Sequence, residues 1–257
     1  VMARYVAGSI LGQSLGPAVG GFFTDLLGWR SAFAFHALIF GSVALLLLRD
    51  TRKHWHLGPR TEGPILSIPR YISIFRLEPA RMVMFIGMFE CMFFFGAYSF
   101  VGSMLKQRFD LNYTTVGLTL AGYGVGGMIF IMLVRRILPR FGQAGMVLAG
   151  ALASGFFFIV LAFAPVWQIA IPCTIGLGFS FYLLHNVMQT RSTEMAPHAR
   201  GTGISLFAFF WAIGQSVGIG TVGFGVATVG YSVMIALFGL GFIGFGLYLR
   251  ANLHRLP

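Results

Sequence analysis

The amino-acid sequence predicts an all-α, polytopic membrane protein with eight transmembrane helices, and three observations carry that reading. Hydrophobic residues make up 57% of the chain and charged residues 10%, against roughly 25% charged in a soluble domain. Eight stretches approach or exceed the length of about 20 residues that a bilayer core demands of a helix. Of 18 Lys and Arg and 7 Asp and Glu residues, only Glu90 falls inside one of them, as expected where a charge near the bilayer centre costs at least about 2.5 to 3.5 kcal/mol.

The first span, residues 5 to 24, holds helix breakers without a single charge. Gly8, Gly12, Gly16 and Gly20 recur every fourth residue, a smooth stripe that lets a neighbouring helix approach to backbone contact. Pro17 cannot donate to the carbonyl of Gln13, so the helix can bend there. The second span, 31 to 48, opens just after Gly28-Trp29-Arg30. Residues 49 to 79 read as a basic linker punctuated by Pro59, Pro64, Pro69 and Pro79, with 68 to 77 as a short amphipathic helix on the inner surface. The third span, 82 to 104, is interrupted only by Glu90, and the fourth runs from 114 to 134. Spans at 144 to 164, 167 to 188, 202 to 224 and 229 to 249 complete the set. Cys91 and Cys173 lie inside spans without metal-type spacing and read as packing residues.

The net charge of +11 raises the question of a nucleic-acid partner, and the distribution of the cations excludes it. Taking alternate connections, fifteen cations lie on one side: Arg4, seven between 49 and 81, Arg135, Arg136, Arg140, Arg191, Arg200, Arg250 and Arg255. The other side has only Arg30, Lys106 and Arg108. Such a bias sets orientation and places both termini and the linker in the cytoplasm.

A repeat extends the reading beyond the chain. Gly12-Gln13-Ser14-Leu15-Gly16 and Gly214-Gln215-Ser216-Val217-Gly218 are offset by 202 residues, and Gly28-Trp29 and Gly230-Tyr231 keep that offset. Two matches in register indicate a duplication. Six spans separate the copies, so they share one orientation, the parallel repeat of two six-helix halves found in major-facilitator transporters. Residues 1 to 48 are then the last two helices of the first half, 49 to 79 the inter-half linker and 80 to 257 a complete second half. About four helices would precede Val1, making this chain helices five to twelve of twelve.

The run of Gly8, Gly12, Gly16, Pro17, Gly20 and Gly21 resembles the fifth-helix signature, the antiporter motif, of the drug:proton antiporters of the major facilitator superfamily. Ala3 stands where the fuller motif has another glycine. Gly28-Trp29-Arg30 is similar to the start of the sixth helix, and Glu194, Pro197, Arg200 and Gly201 to the cytoplasmic approach to the eleventh. The loop signature between helices eight and nine survives as Arg140-Phe141-Gly142, with Pro139 where an aspartate is usual.

Glu90 is the one acid within a span, at about mid-depth, and is the candidate for coupling proton movement to transport; a neutral, hydrogen-bonded structural acid is the alternative. The resemblance implies that the seventh and tenth helices line a central cavity, putting Glu90 on the former and His185 and Asn186 on the latter. His36 reads as interfacial. Tyr98, Tyr123, Trp211 and the cluster Phe89, Phe93, Phe94 and Phe95 suit an aromatic wall for hydrophobic or cationic ligands. Gln215 suits a bond to substrate or to a neighbouring helix.

No enzyme signature appears. Residues 122 to 127, GYGVGG, resemble a nucleotide loop only superficially, since they lie mid-span with no preceding strand. The expectation is a proton-coupled exporter of small amphipathic molecules, monomeric in the bacterial inner membrane, its partners being lipid, substrate and protons, with no cofactor, metal or nucleic acid. Symport of sugars or organic acids is the alternative. A non-transporting membrane scaffold or receptor is the reading from another class.

Overall fold

A computed structural model describes residues 2–54 and 68–256, and all regular structure in them is helical. Eight helices follow in order: α1 (Met2–Leu27), α2 (Trp29–His54), α3 (Ile68–Arg76), α4 (Glu78–Phe109), α5 (Tyr113–Ala162), α6 (Ala170–Glu194), α7 (Arg200–Val229) and α8 (Tyr231–Asn252). The expected amphipathic segment is α3, whose Ile74 is its buried residue. The linker prolines Pro59 and Pro64 lie outside the described residues.

Six of these helices, α2 and α4 to α8, are long and apolar enough to cross a membrane. α5 is two spans in one. Its 50 residues would run about 75 Å if straight, but Gly142 adopts φ 61° and ψ 177°, conformations that glycine adopts at little cost. The chain therefore turns back, and neighbouring glycines report the direction of each limb. Gly122 packs on Thr174 and Ile175, and Gly126 on Ile175 and Phe179, so residues 113–141 run parallel to α6. Gly150 packs on Ser180 and Leu184, and Gly176 on Phe157, so residues 143–162 run antiparallel to it. With α5 counted as two limbs, these helices match seven of the eight expected crossings; the eighth falls on α1, which is not one of the six.

The core lies among α4, α5, α6 and α8. Phe94 is fully buried, with ring centroids of Phe158, Phe181 and Phe242 at 5.2, 4.4 and 5.6 Å. Because lipid tails are as apolar as these rings, dispersion rather than water exclusion holds them, and such pairs contribute about 0.5–1.5 kcal/mol each. Close approach is built from glycine. A Cβ at Gly214 or Gly218 of α7 would strike the carbonyls of Met88 and Met92 on α4, and one at Gly178 of α6 would strike that of Tyr123.

The two copies of the repeat share backbone geometry. Gly28 and Gly230 have φ 82° and 83°, and each links a helix that ends one residue earlier to one that starts one residue later.

Candidate functional site

Glu90 sits twelve residues into α4, about 18 Å from its first residue. It is fully buried. His185, four turns or so into α6, places Nδ1 3.0 Å from Glu90 Oε1. The carboxyl's other oxygen, Oε2, is buried with no partner among the described residues. The pair can hold its hydrogen bond with the proton on either side, as imidazole N–H to carboxylate or carboxyl O–H to imidazole nitrogen.

An aromatic enclosure surrounds this pair. Phe181, one turn before His185, stacks on its ring at 4.9 Å, and Trp211 of α7 stands 6.2 Å from it. Phe95 bridges to Trp211 at 5.2 Å and to Phe181 at 5.3 Å. Tyr123 of α5 adds its ring 6.2 Å from Phe95. Two further polar atoms of this enclosure, Tyr123 Oη and Trp211 Nε1, are buried without partners among the described residues. An unmade bond to a buried group costs about 1–3 kcal/mol, so three of them in one enclosure mark a place where a ligand's polar groups would be well received.

The predicted residues divide. Glu90, His185, Tyr123 and Trp211 come together. Tyr98 stacks on Phe94 at 5.9 Å, 5.1 Å from Tyr123, but its hydroxyl donates to the Leu120 carbonyl at 3.0 Å and is committed there. Asn186 and Gln215 are half-buried on α6 and α7 and make no side-chain hydrogen bond with a described residue. Of the phenylalanine cluster, Phe94 and Phe95 join the enclosure. Phe89 is exposed and Phe93 turns to Phe238 of α8, because a helix rotates each successive side chain by about 100°. His36 bonds the Ala32 carbonyl through Nδ1 at 2.7 Å. Phe181 and Tyr182, unremarked in the sequence, were available from spacing, since they stand four and three residues before His185 on one helix face.

The glycine stripe of the motif helix meets no described residue. At Gly8, Gly12, Gly16 and Gly20 a Cβ would meet no described atom within 4 Å. The close contact lies on another face, where Gly21 meets the Tyr113 backbone, the Pro17 carbonyl meets Gly117 of α5, and Ser14 meets Gly124. Gln13 Oε1 accepts from the Tyr182 hydroxyl at 3.3 Å, joining α1 to α6. The GYGVGG stretch thus serves packing, with Gly124 facing α1 while Gly122, Gly126 and Gly127 face α6.

The loop motifs also have local roles. Gly142 makes the turn that follows Arg140. Arg191 donates to Gln143 Oε1 and stands 3.8 Å from Glu194, tying the end of α6 to that turn. Pro197 opens a short 3-10 turn and Arg200 begins α7, while Gly201 faces open space.

Alternating crossings, a duplicated glycine-bearing helix and an acid buried at mid-depth fit one kind of protein, and comparison decides which. The profile described as Major Facilitator Superfamily matches residues 1–219. The chain belongs to the major facilitator superfamily. Membership in this family of transporters agrees with the absence of enzyme signatures in the sequence. Among curated relatives, an MFS-type transporter of Bacillus subtilis, YceJ, described as uncharacterized, is 24% identical over 87% of this chain and 56% of its own length. A probable sugar efflux transporter of Helicobacter pylori is 23% identical over 93% of this chain and 57% of its own. This superfamily chain therefore spans just over half the length of the relatives it matches.

Proposed function

We propose that this chain forms part of a proton-coupled exporter that moves small amphipathic molecules by alternating access. The observation that carries the reading is the buried Glu90 carboxyl, bonded to His185 through one oxygen and unpartnered at the other. Protonated, the acid is neutral and tolerable in a dry enclosure; ionised, it needs the imidazolium or water, so its proton is best exchanged when one face of the protein admits water. A substrate with a flat apolar body would stack against Phe95, Phe181 and Trp211 and offer its polar end to Glu90 Oε2, Trp211 Nε1 and Tyr123 Oη. Residues 1–48 act as part of one rocking half and 80–257 as the other, with residues 49–79 between them. The arginine-rich side faces the cytoplasm of a bacterial cell, and the protein works as a monomer. Four further helices before residue 1 complete the first half.

The full-length protein in inverted membrane vesicles tests this. Substrate uptake driven by an imposed proton gradient should be lost in Glu90→Gln, while gradient-independent exchange of substrate persists. Undiminished gradient-driven uptake in the variant removes Glu90 from the coupling.

Export of sugars is a second reading, favoured by the Helicobacter pylori relatives, which are described as probable sugar efflux transporters, and by three unpartnered polar atoms suited to hydroxyl groups. Parallel efflux assays with radiolabelled sugars and with cationic dyes separate the two readings.

A further inference from the structure

The seam between α1 and α5 ends at a polar contact that close packing does not require. Asp25 is the first charged residue after the charge-free run of α1. It lies near the carboxyl end of its own helix, the negative end of the dipole, and no basic residue of that last turn offsets it. The side chain reaches instead to the amino end of α5. Oδ1 accepts from the Tyr113 backbone N–H at 3.0 Å, and Oδ2 accepts from the backbone N–H and from the hydroxyl of Thr114, each at 2.6 Å.

The first amides of a helix have no partner within it, and here those of Tyr113, Thr114 and Thr115 are all satisfied before Val116 N–H makes the first intrahelical bond, to the Asn112 carbonyl at 3.1 Å. Asn112 Oδ1 accepts from Thr115 N–H at 2.8 Å; Asp25, on another helix, takes the other two. Gly21, one turn earlier, makes the approach possible, since a Cβ there would collide with the Tyr113 carbonyl. Lys106 of α4 completes the cluster, its Nζ donating to the Leu111 carbonyl at 2.9 Å and standing 4.9 Å from the Tyr113 ring. The Thr114 hydroxyl foremost, then the two amides and the Lys106 charge, hold the Asp25 carboxyl below the usual carboxylate range against partial desolvation.

We propose that Asp25 and the amino end of α5 form a releasable latch that holds the arginine-poor ends of the two halves together and closes that face in the conformation described here. The proposal rests on the alternating-access reading above. Elsewhere α1 meets α5 through close contacts at Pro17, Ala18 and Ser14, and meets α6 through the neutral Gln13–Tyr182 hydrogen bond. The latch is different in kind: it is charge-assisted and directional, yet exposed, so water can replace each bond as it opens. A buried equivalent would leave unpaired groups on opening and would clamp rather than gate. The equivalent position in the second copy of the repeat, 202 residues on, is Ala227, so the device belongs to α1 alone.

A single reporter cysteine tests it in the full-length protein, reconstituted with Cys91 and Cys173 replaced by alanine. Ala121 lies on the α5 face between Gly117 and Gly124, both of which touch α1. Ala121→Cys is labelled with a membrane-impermeant maleimide added on the arginine-poor face. Asp25→Asn and Thr114→Val should each label at least about threefold faster than the parent, the order of effect that loss of a helix cap gives. Thr114→Ser, which keeps the hydroxyl, should label at the parental rate, and the double variant Asp25→Asn, Thr114→Val no faster than either single one. Equal rates in parent, Asp25→Asn and Thr114→Val, with an imposed proton gradient still altering labelling in all three, overturn the latch alone. Labelling that no gradient, sugar or dye alters in any of them overturns the rocking reading and the latch with it.

Discussion

Glu90 and His185 depend on each other in a way that separates stability from transport. Removing the imidazole leaves a fully buried carboxyl with neither oxygen bonded, whereas removing both partners removes the stranded carboxyl as well and leaves only Tyr123 Oη and Trp211 Nε1 as they were. His185→Phe should therefore lower the detergent-solubilised melting temperature, by the equivalent of about 1–3 kcal/mol for a stranded polar group. Adding Glu90→Met should recover most of that loss without restoring gradient-driven transport. Thermal melts read alongside vesicle flux check both halves, and additive destabilisation in the double variant would show that the two side chains do not act as a pair. Asp25 makes an opposite prediction about pH. Its carboxyl titrates below its ordinary value near 3.8, so its contribution is fully present above that value and disappears only as pH falls through the lower, folded one. Between about pH 5 and 8, with Lys106 as its charged neighbour, the ratio of labelling rates between Asp25→Asn and parent should stay flat.

Helix α5 shows how much of this architecture comes from the absence of a Cβ. At Gly117 the neighbouring atoms are the Pro17 carbonyl and the Ala18 backbone, which cannot rotate away as a side-chain tip would. Gly117→Val should therefore destabilise the full-length protein by about 1–3 kcal/mol through overpacking, visible as a lowered melting temperature. Gly201→Ala, where a Cβ meets open space, should change it little. The helices themselves were legible in the sequence because lipid demands an apolar run of fixed length, and each of the eight predicted spans coincides with a described helical segment over most of its length. Their ends were less so. α2 continues to His54 and α4 begins at Glu78 and runs to Phe109, past the charge-free limits, because Lys and Arg near a membrane face keep their heads in water while the backbone remains helical. The turn inside α5 rests on the single residue Gly142. The partners of each site residue were not legible at all: Glu90 and His185 are 95 positions apart and Asp25 and Tyr113 are 88 apart. Periodicity names the face of a helix but not the neighbour it meets, nor the register of the meeting.

The duplication ties one unpartnered surface to one partnered surface. In α7, Gly214 and Gly218 admit the carbonyls of Met88 and Met92 on α4. Their counterparts in α1, Gly12 and Gly16, lie 202 positions earlier in the same pentapeptide pattern and face no described atom within 4 Å. Both helices end at a glycine with the same backbone twist. Equivalent sequence, equivalent turn and equivalent smooth face call for an equivalent partner, a helix lying along α1 as α4 lies along α7. The relatives, of which this chain spans 56 to 57%, are long enough to hold such a helix outside the part matched here. In the full-length protein a bulky substitution at either copy should then carry the same penalty. Gly16→Leu and Gly218→Leu should each reduce folded yield and melting temperature, since a helix lying on either stripe would be pushed off it and lose its dispersion contacts. A Gly16→Leu protein as stable as its parent, beside a damaged Gly218→Leu one, would mean that the α1 stripe faces lipid and that the two halves are not packed alike.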